Sequence, residues 1–226
     1  MHTVDLDLLE RWLCGWSLAR GAPLPQRQGG GLVVEVGRPD QLRRHVFVDA
    51  GAALQACARG IDAPCIYLKA AVDAATLRAA LPPRWQLDTA RHLMGCATPM
   101  APAPLPPGLR AERTRHHGAT VLRVFDEAGA VAASGQLVLH GACAIFDQIE
   151  TAEQQRRRGL GRFVMGALDT LAQEAGARER LLVATDAGRA LYLQLDWQVL
   201  APWSTAMLPA GLPGPVRHNR LSWQQS

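Results

Sequence analysis

The chain has 226 residues, with 24 Lys or Arg against 20 Asp or Glu and a formal charge of +4 at pH 7. Hydrophobic residues make up 48% and charged ones 19%, close to the averages of globular chains, which excludes wholesale disorder and a fibrous repeat and leaves room for one large domain or two small ones. No apolar run approaches the roughly 20 residues that cross a bilayer, and Asp5 and Asp7 stand where a signal peptide would be basic, so a cytoplasmic protein with no membrane partner is expected.

Lys69 is the only lysine, a usage that points to a GC-rich bacterial coding sequence rather than to a function. There are 11 basic against 9 acidic residues up to position 100 and 13 against 11 after it, so neither part is a basic nucleic-acid module. The five cysteines (Cys14, Cys57, Cys65, Cys96 and Cys143) are odd in number and form no C-x-x-C pair. Neither a disulfide framework nor a metal site is indicated, and buried free thiols are expected.

In chain order, Leu8, Leu9, Trp12, Leu13 and Trp16 recur at helical spacing until Gly21 and Pro23. After Gly29-Gly30-Gly31, strands are expected at 32–36, 45–48 and 65–68, with a weaker one at 85–87, and a short helix over 72–81. Between 99 and 108 five of the 15 prolines fall close together, which forbids helix and central strand and reads as a stiff connector. It divides an N-terminal α/β part (1–98) from a C-terminal part (109–226).

The C-terminal part has a sharper order. Strands are expected at 120–125, 130–139 and 142–151, the first two joined across Asp126-Glu127-Ala128-Gly129. A basic, glycine-containing turn follows, then a helix marked by Phe163, Val164, Leu168, Leu171 and Ala175 and ended by Gly176, a strand at 181–184, a helix through 191–193 and a last strand near 197–200.

The turn carries the chemistry. A strand that breaks into Gln154-Gln155-Arg156-Arg157-Arg158-Gly159-Leu160-Gly161-Arg162 and then opens a helix offers free N–H groups and the positive end of a helix dipole to an anion. Glycines at 159 and 161 admit close approach of backbone, and the arginines add charge-assisted hydrogen bonds. A pyrophosphate-bearing cofactor suits such a site. Neither G-x-x-x-x-G-K-[ST] nor G-x-G-x-x-G is present here, so ATPase and dinucleotide readings lose their support.

Arg156 to Gly161 resembles the Gln/Arg-x-x-Gly-x-Gly/Ala motif of the GNAT superfamily of acyl-CoA-dependent N-acyltransferases. The stretch from Leu182 to Trp197 resembles the family's second signature, a strand followed by a helix with "LY-x-x-x-GF"; Thr185 replaces a frequent asparagine, Asp196 the glycine and Trp197 the phenylalanine. The resemblance covers about the last half of the chain. It implies an α/β (α+β) GNAT fold, a mixed central sheet flanked by helices, and acetyl-CoA as co-substrate. The loop Arg156, Arg157, Arg158, Gly159, Leu160, Gly161 and Arg162 would hold the pyrophosphate. The strand end Ile149, Glu150 and Thr151 would pair with the pantetheine arm, Thr185 would contact the cofactor, and Tyr192 would lie near the thioester sulfur.

The implied reaction is transfer of an acetyl group to a primary amine by direct attack on the thioester. Tyr192 is the expected general acid, and Asp147 and Glu150 are the candidate bases. Residues three apart on a strand face opposite sides, so without a bulge only one of the two faces the site. Ile145 stands where some protein-acetylating members carry a glutamate, and His140, His116 and His117 read as surface residues. The strand following residues 109–113 comes too soon for the two helices the family inserts there. Residues 1–98 are therefore expected to supply that wall as a degenerate half-copy of the fold, the alternative being a dimerisation module that would make a homodimer. The acceptor is a small-molecule amine or a peptide, and the competing reading is a non-catalytic acyl-CoA sensor.

Overall fold

The computed structural model describes residues 4–209. Helix α1 (Leu6–Ala19) starts where the Asp5 carboxylate accepts from the Leu8 N–H at 2.8 Å and ends before Gly21, at φ 62°. A meander of β1 (Gln26–Gln28), β2 (Gly31–Arg38) and β3 (Gln41–Phe47) follows, then α2 (Ala52–Gly60), β4 (Ile66–Ala70), α3 (Ala74–Ala80), β5 (Gln86–Leu87) and β6 (Arg91–Cys96). Beyond the prolines come β7 (Arg110–His116), β8 (Ala119–Phe125), β9 (Val131–His140) and β10 (Cys143–Thr151). A 3-10 turn (Glu153–Gln155), α4 (Leu160–Glu174), β11 (Glu179–Ala184), α5 (Asp186–Leu193) and β12 (Gln198–Met207) complete the described chain.

The strands form one mixed sheet in the order β1-β2-β3-β4-β12-β6-β11-β10-β9-β8-β7, with β5 beside β12. The order is nearly symmetric about its centre. On one side β3 leads through α2 to a parallel β4, and on the other β10 leads through α4 to a parallel β11. The strands between are exchanged: β6 lies against β11 and β12 against β4. Residues 91–96, assigned by composition to the N-terminal part, thus supply a strand flanked by β11 and β12.

The expected strand at 85–87 is only the two residues of β5, and the last strand runs on to Met207, carrying Pro202 beyond a register shift between Val199 and Ala201. Helix α2 and strand β6 had no counterpart among the expected elements. In α2 only Leu54 and Ala58, one turn apart, are buried, and its cap is Gly51 without a side-chain bond, so its apolar stripe is a single pair and too short to mark it.

Helix α1 lies on the face of the sheet opposite α4, burying Leu9 and Leu13 completely among residues of β2, β9 and β10. A Cβ on Gly15 would sit 2.5 Å from the Ile145 side chain, so glycine sets how closely α1 approaches β10. The proline-rich stretch is strapped across α4. The Met100 N–H donates to Asp169 at 2.6 Å, Trp197 Nε1 donates to Met100 Sδ at 3.3 Å, and a Cβ on Gly166 would come within 3.0 Å of the Ala101 carbonyl. Asp169 also forms an ion pair with Arg180 of β11; the two side chains are 0% and 1% exposed. All five cysteines are free, and no helix among the described residues is long and apolar enough to cross a membrane.

Candidate active site

The site begins where two parallel strands part. Strands β10 and β11 pair only through Cys143↔Glu179, Ala144↔Arg180 and Ile145↔Leu181. Past that point β10 stays with β9 and β11 with β6. The edges from Phe146 and from Leu182 onward therefore face an opening, with backbone groups that have no neighbouring strand. A cavity of about 1010 Å³ fills it, walled by 146–151 on one side and 182–185 on the other. The corresponding strands β3 and β4 remain paired from Arg43↔Ile66 to Phe47↔Ala70, so the N-terminal part has no equivalent gap.

A β-bulge shapes the wall. Asp147 pairs with Gln136 and Glu150 with Ser134, so β10 advances three residues while β9 advances two, with Gln148 at φ 51°. The bulge puts both Asp147 and Glu150 on the α1 face and answers the geometric objection to their acting together. Ile149 points the other way, into the α4 core. Asp147 is held in an ion pair by Arg20 from the end of α1, whereas exposed Glu150 has no hydrogen-bond or ion-pair partner among the described residues. Thr151 completes this side of the cavity.

At the base, Arg157 and Gly159 both take left-handed conformations (φ 65° and 79°), and α4 opens at Leu160 without a side-chain cap. The first helical bond of α4 is from Phe163 N–H to the Gly159 carbonyl at 3.0 Å. The amides of Leu160, Gly161 and Arg162 therefore have no acceptor within the helix. Arg156, Arg157 and Arg162 line the cavity. Arg158 does not: it bonds Gln155 and lines a separate hollow of about 380 Å³ beside Asp126 and Glu127. A Cβ on Gly161 would lie 2.7 Å from Leu191, so this glycine lets α5 close against α4.

Thr185 spends its hydroxyl as the cap of α5, accepting from the Gly188 N–H at 3.1 Å. Asp186, in the first turn of α5, binds His92 Nε2 of β6 at 2.7 Å. Tyr192 is 6% exposed, packs on Trp197 with ring centroids 6.0 Å apart and faces the cavity. Burial, reinforced by the charge of Asp147, pushes its phenol up to about 12, so it keeps its proton at neutral pH. Asp196 has φ 62° at the position where the second signature carries glycine.

Ile145 is buried beneath Gly15 of α1; His140, His116 and His117 lie outside the cavity. Among the lining residues missed in the sequence are two cations, Arg20 and Arg91; each is a lone arginine at an element's end and carries no motif. No group of three or more His, Cys, Asp or Glu side chains is placed to hold a metal ion among the described residues.

No protein-family model and no curated protein matches the chain. Solved structures do resemble it. A GCN5-related N-acetyltransferase from Kribbella flavida superposes with a TM-score of 0.62 at 12% identity, over 88% of this chain and 94% of that one. A second from Sphaerobacter thermophilus gives 0.55 at 11% identity, over 81% and 78%. A tandem GNAT protein from the clavulanic acid biosynthesis pathway gives 0.52 at 16% identity, over 83% and 82%. The parted parallel strands, the bulge and the arginine-glycine turn opening α4 sit in a chain that has the fold of the GCN5-related N-acetyltransferases.

Proposed function

We propose that the chain is an acyl-CoA-dependent N-acyltransferase that moves an acetyl group to a primary amine. The observation that carries the reading is the gap between β10 and β11, bounded at its base by unpaired amides and by Arg156, Arg157 and Arg162. Its shape and donors fit a long cofactor with a phosphorylated end. Bound acetyl-CoA would supply the activated thioester. The amides of Leu160 to Arg162 and the three arginines bind the pyrophosphate, and the free edge of Ile149 to Thr151 orients the pantetheine arm by strand-like hydrogen bonds.

Glu150, with no ion-pair partner among the described residues, accepts a proton from the amine, directly or through a water, as the nitrogen attacks the carbonyl carbon. Tyr192 gives its phenolic proton to the departing thiolate as the carbon–sulfur bond breaks. Asp147, held by Arg20, fixes the charge beside that phenol. We read residues 1–98 as a degenerate half-copy of the same fold. The near-symmetric strand order supports this, and α1 covers the face of the sheet opposite α4. Unpaired cysteines fit the cytoplasm. Titration calorimetry tests the reading: acetyl-CoA and CoA should bind with micromolar affinity, and failure of both to bind would remove it.

A further inference from the structure

Resting on that reading, the basic residues of the α1 face bear on the acceptor. Along the sheet Arg44 pairs with Tyr67, Lys69 with Thr205 and Trp203 with Arg91. The alternation of side chains puts Arg44, Lys69 and Arg91 on one face, the face covered by α1, where Arg20 meets Asp147. Arg20 and Arg91 line the cavity. Arg44 lies behind them, 7% exposed, its guanidinium 3.6 Å from the Trp16 ring centre, its Nη2 donating to Gln41 at 3.2 Å and its Nε without a partner among the described residues. Lys69 Nζ, also buried, donates to the Thr205 hydroxyl at 2.7 Å.

Only Arg20 of these four has a carboxylate in salt-bridge range among the described residues. Burying cations without counter-ions is costly. The titration of the cluster reflects that cost: burial, followed by the charge of Arg44, pushes the Lys69 ammonium well below its ordinary value, and burial, followed by Arg20, lowers Arg44 to about 9. A fold that keeps this cluster beside a reaction cavity leaves a place for an anion.

We propose that the acceptor is a primary amine bearing an anionic group, a carboxylate or a phosphate, whose anion is bound at Arg91 and Arg20 while its nitrogen lies toward Glu150. The test follows thiol release from acetyl-CoA with matched pairs: amino acids against the same amines lacking the carboxylate, and O-phosphoethanolamine against ethanolamine. The anionic member should be favoured at least about tenfold in kcat/KM, the scale of a charge-assisted hydrogen bond. The pair with the larger ratio tells carboxylate from phosphate. In Arg91→Gln the ratio should fall at least about fivefold, with acetyl-CoA affinity measured alongside.

Equal use of both members, preference for the uncharged amine, or no thiol release with any anionic amine while acetyl-CoA binds would overturn the inference and leave the acyltransferase reading standing. So would an Arg91→Gln change that weakens acetyl-CoA rather than the anion preference. Failure of wild type to bind acetyl-CoA would instead remove the acyltransferase reading itself. The wild-type ratios need no variant and decide the matter if Arg91→Gln does not fold.

Discussion

Asp147 and Glu150, three residues apart on β10, face the same side of the sheet because the bulge at Gln148 inserts one residue against β9. Their surroundings then separate them. Asp147 is held in an ion pair by Arg20, and Glu150 is exposed with no partner among the described residues. In the proposed reaction only Glu150 is free to take a proton, and Tyr192, buried and protonated, is the group able to give one.

For catalysis, Tyr192→Phe keeps the ring on Trp197 and removes only the hydroxyl. Turnover should fall by roughly 10²-fold or more, with acetyl-CoA affinity within about threefold of wild type. Glu150→Gln should lower the rate at neutral pH by a similar order and less at high pH. Unchanged turnover in both variants would contradict the assigned roles, and acetyl-CoA binding without turnover for any amine would favour the sensor reading.

For stability, Asp169 is the joint between α4, β11 and the proline-rich stretch, accepting from Arg180, Gln173 and the Met100 N–H. Asp169→Ala leaves a buried guanidinium unpaired, and Arg180 Nη2 already lacks a partner. Loss of about 3–5 kcal/mol is expected, read by urea unfolding; a loss under about 1 kcal/mol would show that the pair is not holding these elements together.

Acid sensitivity has an identifiable source in His45. Its Nε2 is buried without a hydrogen-bond partner, and burial, followed by Arg43, lowers its pKa to about 4 from an ordinary 6.5. Above pH 6.5 it is neutral whether the chain is folded or not. As pH falls from 6.5 to 4 the unfolded chain takes the proton first, so stability is lost over that window, on the order of 3 kcal/mol, and levels off below it. His45→Leu should flatten the stability curve between pH 6.5 and 4, and an unchanged slope would rule the histidine out.

How much of this could be read from the chain depends on whether the signal is local. The arginine-glycine turn, α4 and Tyr192 lie in contiguous segments whose spacing reveals them. The exchange of β6 and β12 joins residues about a hundred positions apart, and the Gln148 bulge is defined by register against β9, so neither leaves a local pattern. The outward turn of Arg158 follows from the left-handed Arg157 and its bond to Gln155. The departure at Asp196 was legible as a missing glycine.

Asp196 sits at φ 62°, a conformation glycine adopts without strain. Asp196→Gly should stabilise the chain by about 0.5–1 kcal/mol, checked by thermal melting. A lower melting temperature would mean that the aspartate makes a compensating interaction.

Titration calorimetry of acetyl-CoA against Arg157→Glu and Arg158→Glu decides whether the turn opening α4 holds a pyrophosphate. Arg157 faces the cavity and Arg158 faces away. Arg157→Glu should weaken binding at least about tenfold while Arg158→Glu, equal in charge, stays within about threefold of wild type. Equal losses in two folded variants, or no loss in either, would contradict it.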